Sequence, residues 1–167
     1  MVGTEKALPR VFALPGKTRY CGFAARLRGK MNTTGQAYFK TTTWEETPYA
    51  ELEGGRKLTR VHAVFTYEGD LEGEGTVDYL MAYSPDGTGN FVGMERIVGH
   101  IGDRSGSFVA QHTGTFDPKA VHTNWEFVPG LGTDELDGIT GRGNLILEGH
   151  GPYPFTFEYD LQTNRKQ

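Results

Sequence analysis

The sequence predicts an all-β protein, built as an eight-stranded antiparallel up-and-down barrel. Three observations predict it. The stretch from Gly73 to Phe116 holds three runs of alternating apolar and polar residues. Two turns join them, Ser84-Pro85-Asp86-Gly87 and Gly102-Asp103-Arg104, which is the pattern of an antiparallel meander. Glycine is abundant at 24 residues and aromatic residues make up 12%, while no helix-period apolar stripe of useful length occurs. Finally, turn signals punctuate the chain at short intervals, enough for eight strands, and a sheet of that size is freed of its exposed edges by closing on itself.

Alternation sets the elements in order. The first strand is predicted over Gly35 to Trp44, and Glu45-Glu46-Thr47-Pro48-Tyr49 follows as a loop with proline as the breaker. A second strand is predicted over Leu58 to Tyr67, then a turn at Glu68-Gly69-Asp70. Further strands are predicted over Gly75 to Tyr83, Asn90 to Val98, Gly106 to Phe116 and Ala120 to Val128. A longer link with Gly130, Gly132 and Gly138 leads to strands over Gly141 to Leu147 and Phe155 to Leu161. Glycines within or near strand ends, such as Gly75 and Gly93, suit the bends that a small barrel needs.

Length and charge divide the chain. At 167 residues it suits one domain, predicted over residues 32–167, preceded by a basic extension over residues 1–31. That extension carries seven basic residues and one acid, so it is +6 where the remainder is −10. The acidic body repels phosphate backbones, and no nucleic-acid partner is expected. No apolar run is long enough for a membrane span, and no membrane partner is expected. The single cysteine, Cys21, excludes an intramolecular disulfide and a multi-cysteine metal site, and the simplest compartment is the cytoplasm. A homo-oligomer is left open.

Common catalytic signatures are absent. There is no Walker loop and no nucleophile elbow. Gly87 to Gly93 has the wrong glycine spacing and the wrong flanking elements for a dinucleotide loop. The five histidines show no paired metal-ligand spacing, so neither a metal nor a cofactor is predicted.

Polar side chains on strand faces remain. Successive side chains on a strand point to opposite faces. Phe91, Gly93, Glu95 and Ile97 therefore share one face, and Val92, Met94, Arg96 and Val98 the other. Val109, Gln111 and Thr113 oppose Phe108, Ala110, His112 and Phe116 in the same way. Which member of the pairs Glu95/Arg96 and Gln111/His112 enters the barrel is open at this level. An interior holding Tyr79, Tyr83, Trp125, Tyr159 and Phe91 with one carboxylate and one amide resembles a small-molecule pocket. In it Glu95 is the candidate general acid or base, Gln111 the donor to a carbonyl or oxyanion, and Tyr79 the group that orients substrate. Tyr83, Trp125, Tyr159 and Phe91 are the candidate substrate-binding walls.

Several long strings carry a resemblance. Trp44-Glu45-Glu46-Thr47-Pro48-Tyr49, Leu58-Thr59-Arg60 and Gly73 to Tyr83 are similar to a small family of bacterial and fungal domains of unknown function. Phe91-Val92-Gly93-Met94-Glu95-Arg96 and Gly106 to Gly114 extend the similarity, which covers about residues 34–161. That family resembles the allene oxide cyclase-like barrels, which include plant allene oxide cyclases and dirigent proteins. The resemblance implies an eight-stranded barrel with a hydrophobic cavity. It also implies a cofactor-independent isomerase or cyclase that confines a small hydrophobic substrate near its product geometry. The rival expectations are a non-catalytic, lipocalin-like binder of an apolar molecule and a solidly packed barrel acting as a scaffold.

Overall fold

The structure, a computed structural model, describes residues 33–161. The predicted basic extension over residues 1–31 lies outside the described residues. Eight strands form the fold: β1 (Thr33–Leu52), β2 (Arg56–Gly69), β3 (Leu71–Tyr83), β4 (Gly89–Ile101), β5 (Arg104–Phe116), β6 (Ala120–Phe127), β7 (Ile139–Glu148) and β8 (Tyr153–Leu161). They close into a barrel in sequence order, every neighbour antiparallel, and β8 returns to pair with β1. The only helical element among the described residues is a single 3-10 turn, Asp134–Leu136. No helix among them is long and apolar enough to cross a membrane.

Strand positions follow the alternation, with one correction. The first strand does not stop at Trp44; β1 runs on to Leu52 and takes in the segment expected as a loop. Its pairing with β8 ends at Phe39, so beyond that point, among the described residues, its backbone ladder is with β2 alone. Pro48 lies in this one-sided half, opposite Thr59 and beside a register shift between Pro48 and Ala50. A proline lacks the N–H that a second neighbour would need, so an edge position tolerates it where a central strand does not.

The interior has two parts. At the end where β3 begins and β4 finishes, Leu71, Ile97, Ile101, Phe108, Phe127 and Phe157 pack solidly. The 3-10 turn adds buried Leu136 to that core. Thr133, which precedes the turn, bonds through its amide to the Ser107 carbonyl and through its Oγ1 with the Ser107 amide. At the opposite end the rings stand apart and leave a cavity.

One seam in the wall is short. β7 pairs with β8 over only four residues, Ile139 to Arg142 against Glu158 to Leu161. Past Arg142, β7 continues beside β6 alone and β8 beside β1 alone, among the described residues. Side chains rather than backbone ladder complete the wall there, with Leu145, Leu147, Tyr153 and Phe155 against the cavity. Amides of β7 beyond Arg142 that face β8 should therefore exchange with deuterium at least about tenfold faster than those facing β6. Residue-resolved hydrogen exchange by NMR checks this; equal protection on both sides of β7 would contradict the seam.

Candidate functional site

The cavity opens at the end formed by the close of β3 and the start of β4, and its volume is about 430 Å³. That falls within the range of small-molecule sites, roughly 300–1,000 Å³. Its walls are largely aromatic and aliphatic, including Phe39, Phe65, Met81, Phe91, Tyr153 and Phe155. Tyr67, Tyr79, His112 and Trp125 also line it.

Three of these four, Tyr67, Tyr79 and His112, belong to a buried polar chain that Glu95 completes from behind. Glu95 is 0% exposed and is not itself part of the cavity lining. Tyr67 Oη donates to Glu95 Oε1 at 2.7 Å. His112 Nε2 lies 2.8 Å from Glu95 Oε2. On its other side His112 Nδ1 lies 3.1 Å from Tyr79 Oη. The order is thus Tyr67, Glu95, His112, Tyr79, and both ends of the chain reach the cavity.

The chemistry of each atom constrains how protons sit. A carboxylate accepts, so the nitrogen facing Glu95 carries the proton. In neutral imidazole Nδ1 is then an acceptor, and Tyr79 donates to it. In imidazolium Nδ1 donates to Tyr79 Oη, which frees the phenolic proton for a ligand in the cavity. Burial and the charge of Glu95 push the Tyr79 phenol well above the usual tyrosine range. Burial and the same carboxylate, which also accepts its hydrogen bond, do so for Tyr67. Both phenols stay protonated and serve as donors.

Local packing explains why the chain fits. A Cβ on Gly75 would collide with Glu95 Oε1 and crowd the Tyr67 ring, and a Cβ on Gly93 would collide with the Tyr79 ring. These two strand glycines are the notches in which the carboxylate and the phenol lie. His112 is held edge-on by Tyr79, with ring centroids 5.5 Å apart, and by Trp125 at 6.2 Å. Trp125 Nε1 is buried with no hydrogen-bond partner among the described residues.

The predicted site residues divide. Tyr79, Tyr83, Phe91 and Trp125 line the cavity, and Glu95 stands directly behind it. Gln111 does not take part. It is exposed on the outer surface between Met94 and Glu126, because its neighbour His112 takes the inward position. Tyr159 is also misplaced in the prediction. It sits toward the packed end, stacked on Phe157 at 5.5 Å, and is not part of the cavity lining. His112, the open alternative to Gln111, takes the inward place, and Tyr67 is the member that the sequence did not single out. The signal for His112 was available: its face carries Phe108, Ala110 and Phe116, the more apolar side of β5. Among the described residues no three His, Cys, Asp or Glu side chains converge as metal ligands.

With this geometry in place, comparison with known proteins assigns the chain to a family. Residues 34–159 match the family described as "Protein of unknown function (DUF3224)", and the chain belongs to it. It is similar to a crystal structure of a protein of unknown function from the same family, from Shewanella oneidensis MR-1. The two are 30% identical, with a TM-score of 0.66, over 78% of this chain and 98% of that one. A search of curated proteins found no match. The family membership expected from the long strings is thereby shown. The further likeness to allene oxide cyclases gains no support from these matches.

Two outcomes follow from the buried chain. Gly75→Ala should destabilise the fold by about 1–3 kcal/mol through overpacking against Glu95, read as a lowered urea midpoint. The second concerns alkali. A phenol whose folded value is raised contributes stability in full below the ordinary tyrosine value of 10 and loses it as pH rises toward the folded value. Stability should therefore fall above that pH, and phenolate absorbance from Tyr67 and Tyr79 should emerge only together with loss of the β-sheet circular dichroism. Tyr67→Phe with Tyr79→Phe should remove that coincident step.

Proposed function

We propose that the barrel binds a small apolar molecule carrying one carbonyl, epoxide or similar oxygen, and isomerises or cyclises it without a cofactor. The observation that carries this reading is the continuous chain Glu95–His112–Tyr79 ending in an apolar cavity. Tyr79 is the catalytic residue in this reading, because its phenol faces the ligand. It donates to the substrate oxygen as negative charge develops there. As imidazolium, His112 hands its Nδ1 proton to the Tyr79 oxygen and is left as neutral imidazole; Glu95 stabilises the imidazolium before the transfer and holds the ring in place. Tyr67 fixes the second carboxylate oxygen. The proton lent to the substrate returns by the same path as the product forms, so the net reaction is an isomerisation. Phe91, Met81, Phe65 and Phe155 would hold the substrate in a compact conformer, which supplies the remaining rate by confinement.

The competing reading is a carrier. It is favoured by one fact: Glu95 has a hydrogen bond on each oxygen from within the protein, so the chain needs no substrate to be complete.

Tryptophan fluorescence against a panel of apolar ketones, enones and epoxides identifies ligands, and chromatography then detects products of unchanged mass. Tyr79→Phe should hold affinity within about threefold and cut turnover by about 10²–10⁴-fold, the usual range for a lost general acid. Binding across the panel with no conversion of any compound by the unmodified protein would establish the carrier instead.

A further inference from the structure

The mouth of the cavity is shaped by an irregularity in β1. Up to Thr41 the inward residues are Ala37, Phe39 and Thr41, paired with Gly69, Tyr67 and Phe65. A register shift between Thr41 and Thr43 then inserts one extra residue. Beyond it Trp44 pairs with Ala63 and Glu46 with Val61, both fully buried inward positions of β2. The bulge has therefore changed parity. Without it Thr43 and Glu45 would turn inward and Trp44 would lie on the outer wall. Bulges of this kind re-aim side chains, and they cluster at barrel rims and beside active sites.

What the bulge delivers to the mouth is a tethered indole. Trp44 lines the cavity, packs against the Tyr79 ring with centroids 6.2 Å apart, and is still 48% exposed. Trp44 Nε1 lies 3.4 Å from Glu46 Oε2. The other oxygen of Glu46 accepts from Tyr83 Oη at 2.6 Å and from Thr59 Oγ1 at 2.7 Å. Lys57 places its ammonium 4.5 Å from the centre of the Tyr83 ring. Partial burial works against the charge of Glu46. The donors Tyr83, Thr59 and Trp44 together with Lys57 outweigh it and hold the carboxyl below its usual range.

Among the described residues, this half of β1 has no second strand neighbour. Displacing it would break contacts to β2 and the rim and leave the β1–β8 ladder intact. The two features belong together: an edge segment laddered on one side, and a side-chain latch joining it to β2 through Thr59 and to β3 through Tyr83.

We propose that Trp44 is the gate of the cavity and sets the size of ligand admitted, with Glu46 as the latch that holds it over Tyr79. This rests on the reading of the cavity as a ligand site. A closed indole above Tyr79 excludes water from the phenol and limits the length of a bound molecule. Passage requires the Trp44–Glu46 contact to yield, so the gate acts on rates more than on affinity.

Stopped-flow fluorescence with N-phenyl-1-naphthylamine, a neutral apolar probe, tests this on the full chain, with Nile red as a larger probe. Trp44→Ala should accelerate both association and dissociation by about tenfold or more, and should admit Nile red where the unmodified protein excludes it. Glu46→Ala should accelerate N-phenyl-1-naphthylamine exchange in the same direction while leaving Trp44 in place. Circular dichroism confirms that each variant is folded. Should Glu46→Ala fail to fold, the Trp44→Ala rates decide alone, since half of that indole is already solvated. Binding of the probe by Trp44→Ala and not by the unmodified protein would also support the gate. Equal rates in the unmodified protein and Trp44→Ala, with the probe bound by both, would overturn the gate and leave the ligand reading intact. No binding of either probe by any of the three would overturn both.

Discussion

Everything inside this barrel is there because backbone closure leaves each strand one choice of face. β8 returns to β1, so no strand can shift by one residue without turning its apolar set outward. Val61, Ala63, Phe65 and Tyr67 on β2 enforce that parity from one side. Phe108 and Ala110 on β5 enforce it from the other. Glu95 and His112 enter the interior as members of faces that the hydrophobic residues have already chosen. The polar chain is in this sense carried inward by the packing around it.

Carrying it inward has a cost. An isolated carboxylate in such surroundings costs several kcal/mol or more, and a broken buried pair costs about 3–5 kcal/mol. The protein offsets this by giving each Glu95 oxygen a donor and by giving both His112 nitrogens a partner. It also reserves space at Gly75 and Gly93 where any side chain would intrude. Hydrophobic residues could have filled the same volume at lower cost. That a four-member network stands here, adjacent to the cavity and away from the packed end, is the physical reason to read it as functional.

Much of this was legible in the sequence. The meander from Gly73 to Phe116 announces its strands directly, and closure follows from strand number and edges. Glu95 stands out as an acid among Phe91 and Ile97. Gln111 was a plausible partner only while parity was open. A single strand with polar residues on both faces does not reveal which face is in. Resolving it needs the neighbouring strands, because Gly93↔His112 and Glu95↔Ala110 are facing positions only once β4 and β5 are in register. Tyr67 was invisible for the same reason: its partner lies 28 residues away, on a strand that is not adjacent. Tyr159 was misplaced because alternation gives a side and says nothing of height along the barrel axis.

The mouth shows a different limit. Pro48 reads as a break, and in a two-sided strand it would be one. β1 evades the break by becoming an edge before Pro48 is reached, and the bulge after Thr41 makes that edge useful. One inserted residue exchanges the inward set Thr43 and Glu45 for Trp44 and Glu46. It replaces a hydroxyl and a carboxylate with an indole and its own hydrogen-bond acceptor. The strand pattern contains no mark of the insertion, since Thr41, Thr42 and Thr43 are identical residues and any register among them looks alike. Local sequence is silent here because the choice is made by the partner. Phe65, Ala63 and Val61 demand burial at fixed spacing, and β1 must drop one residue from the ladder to bring an aromatic ring over the cavity.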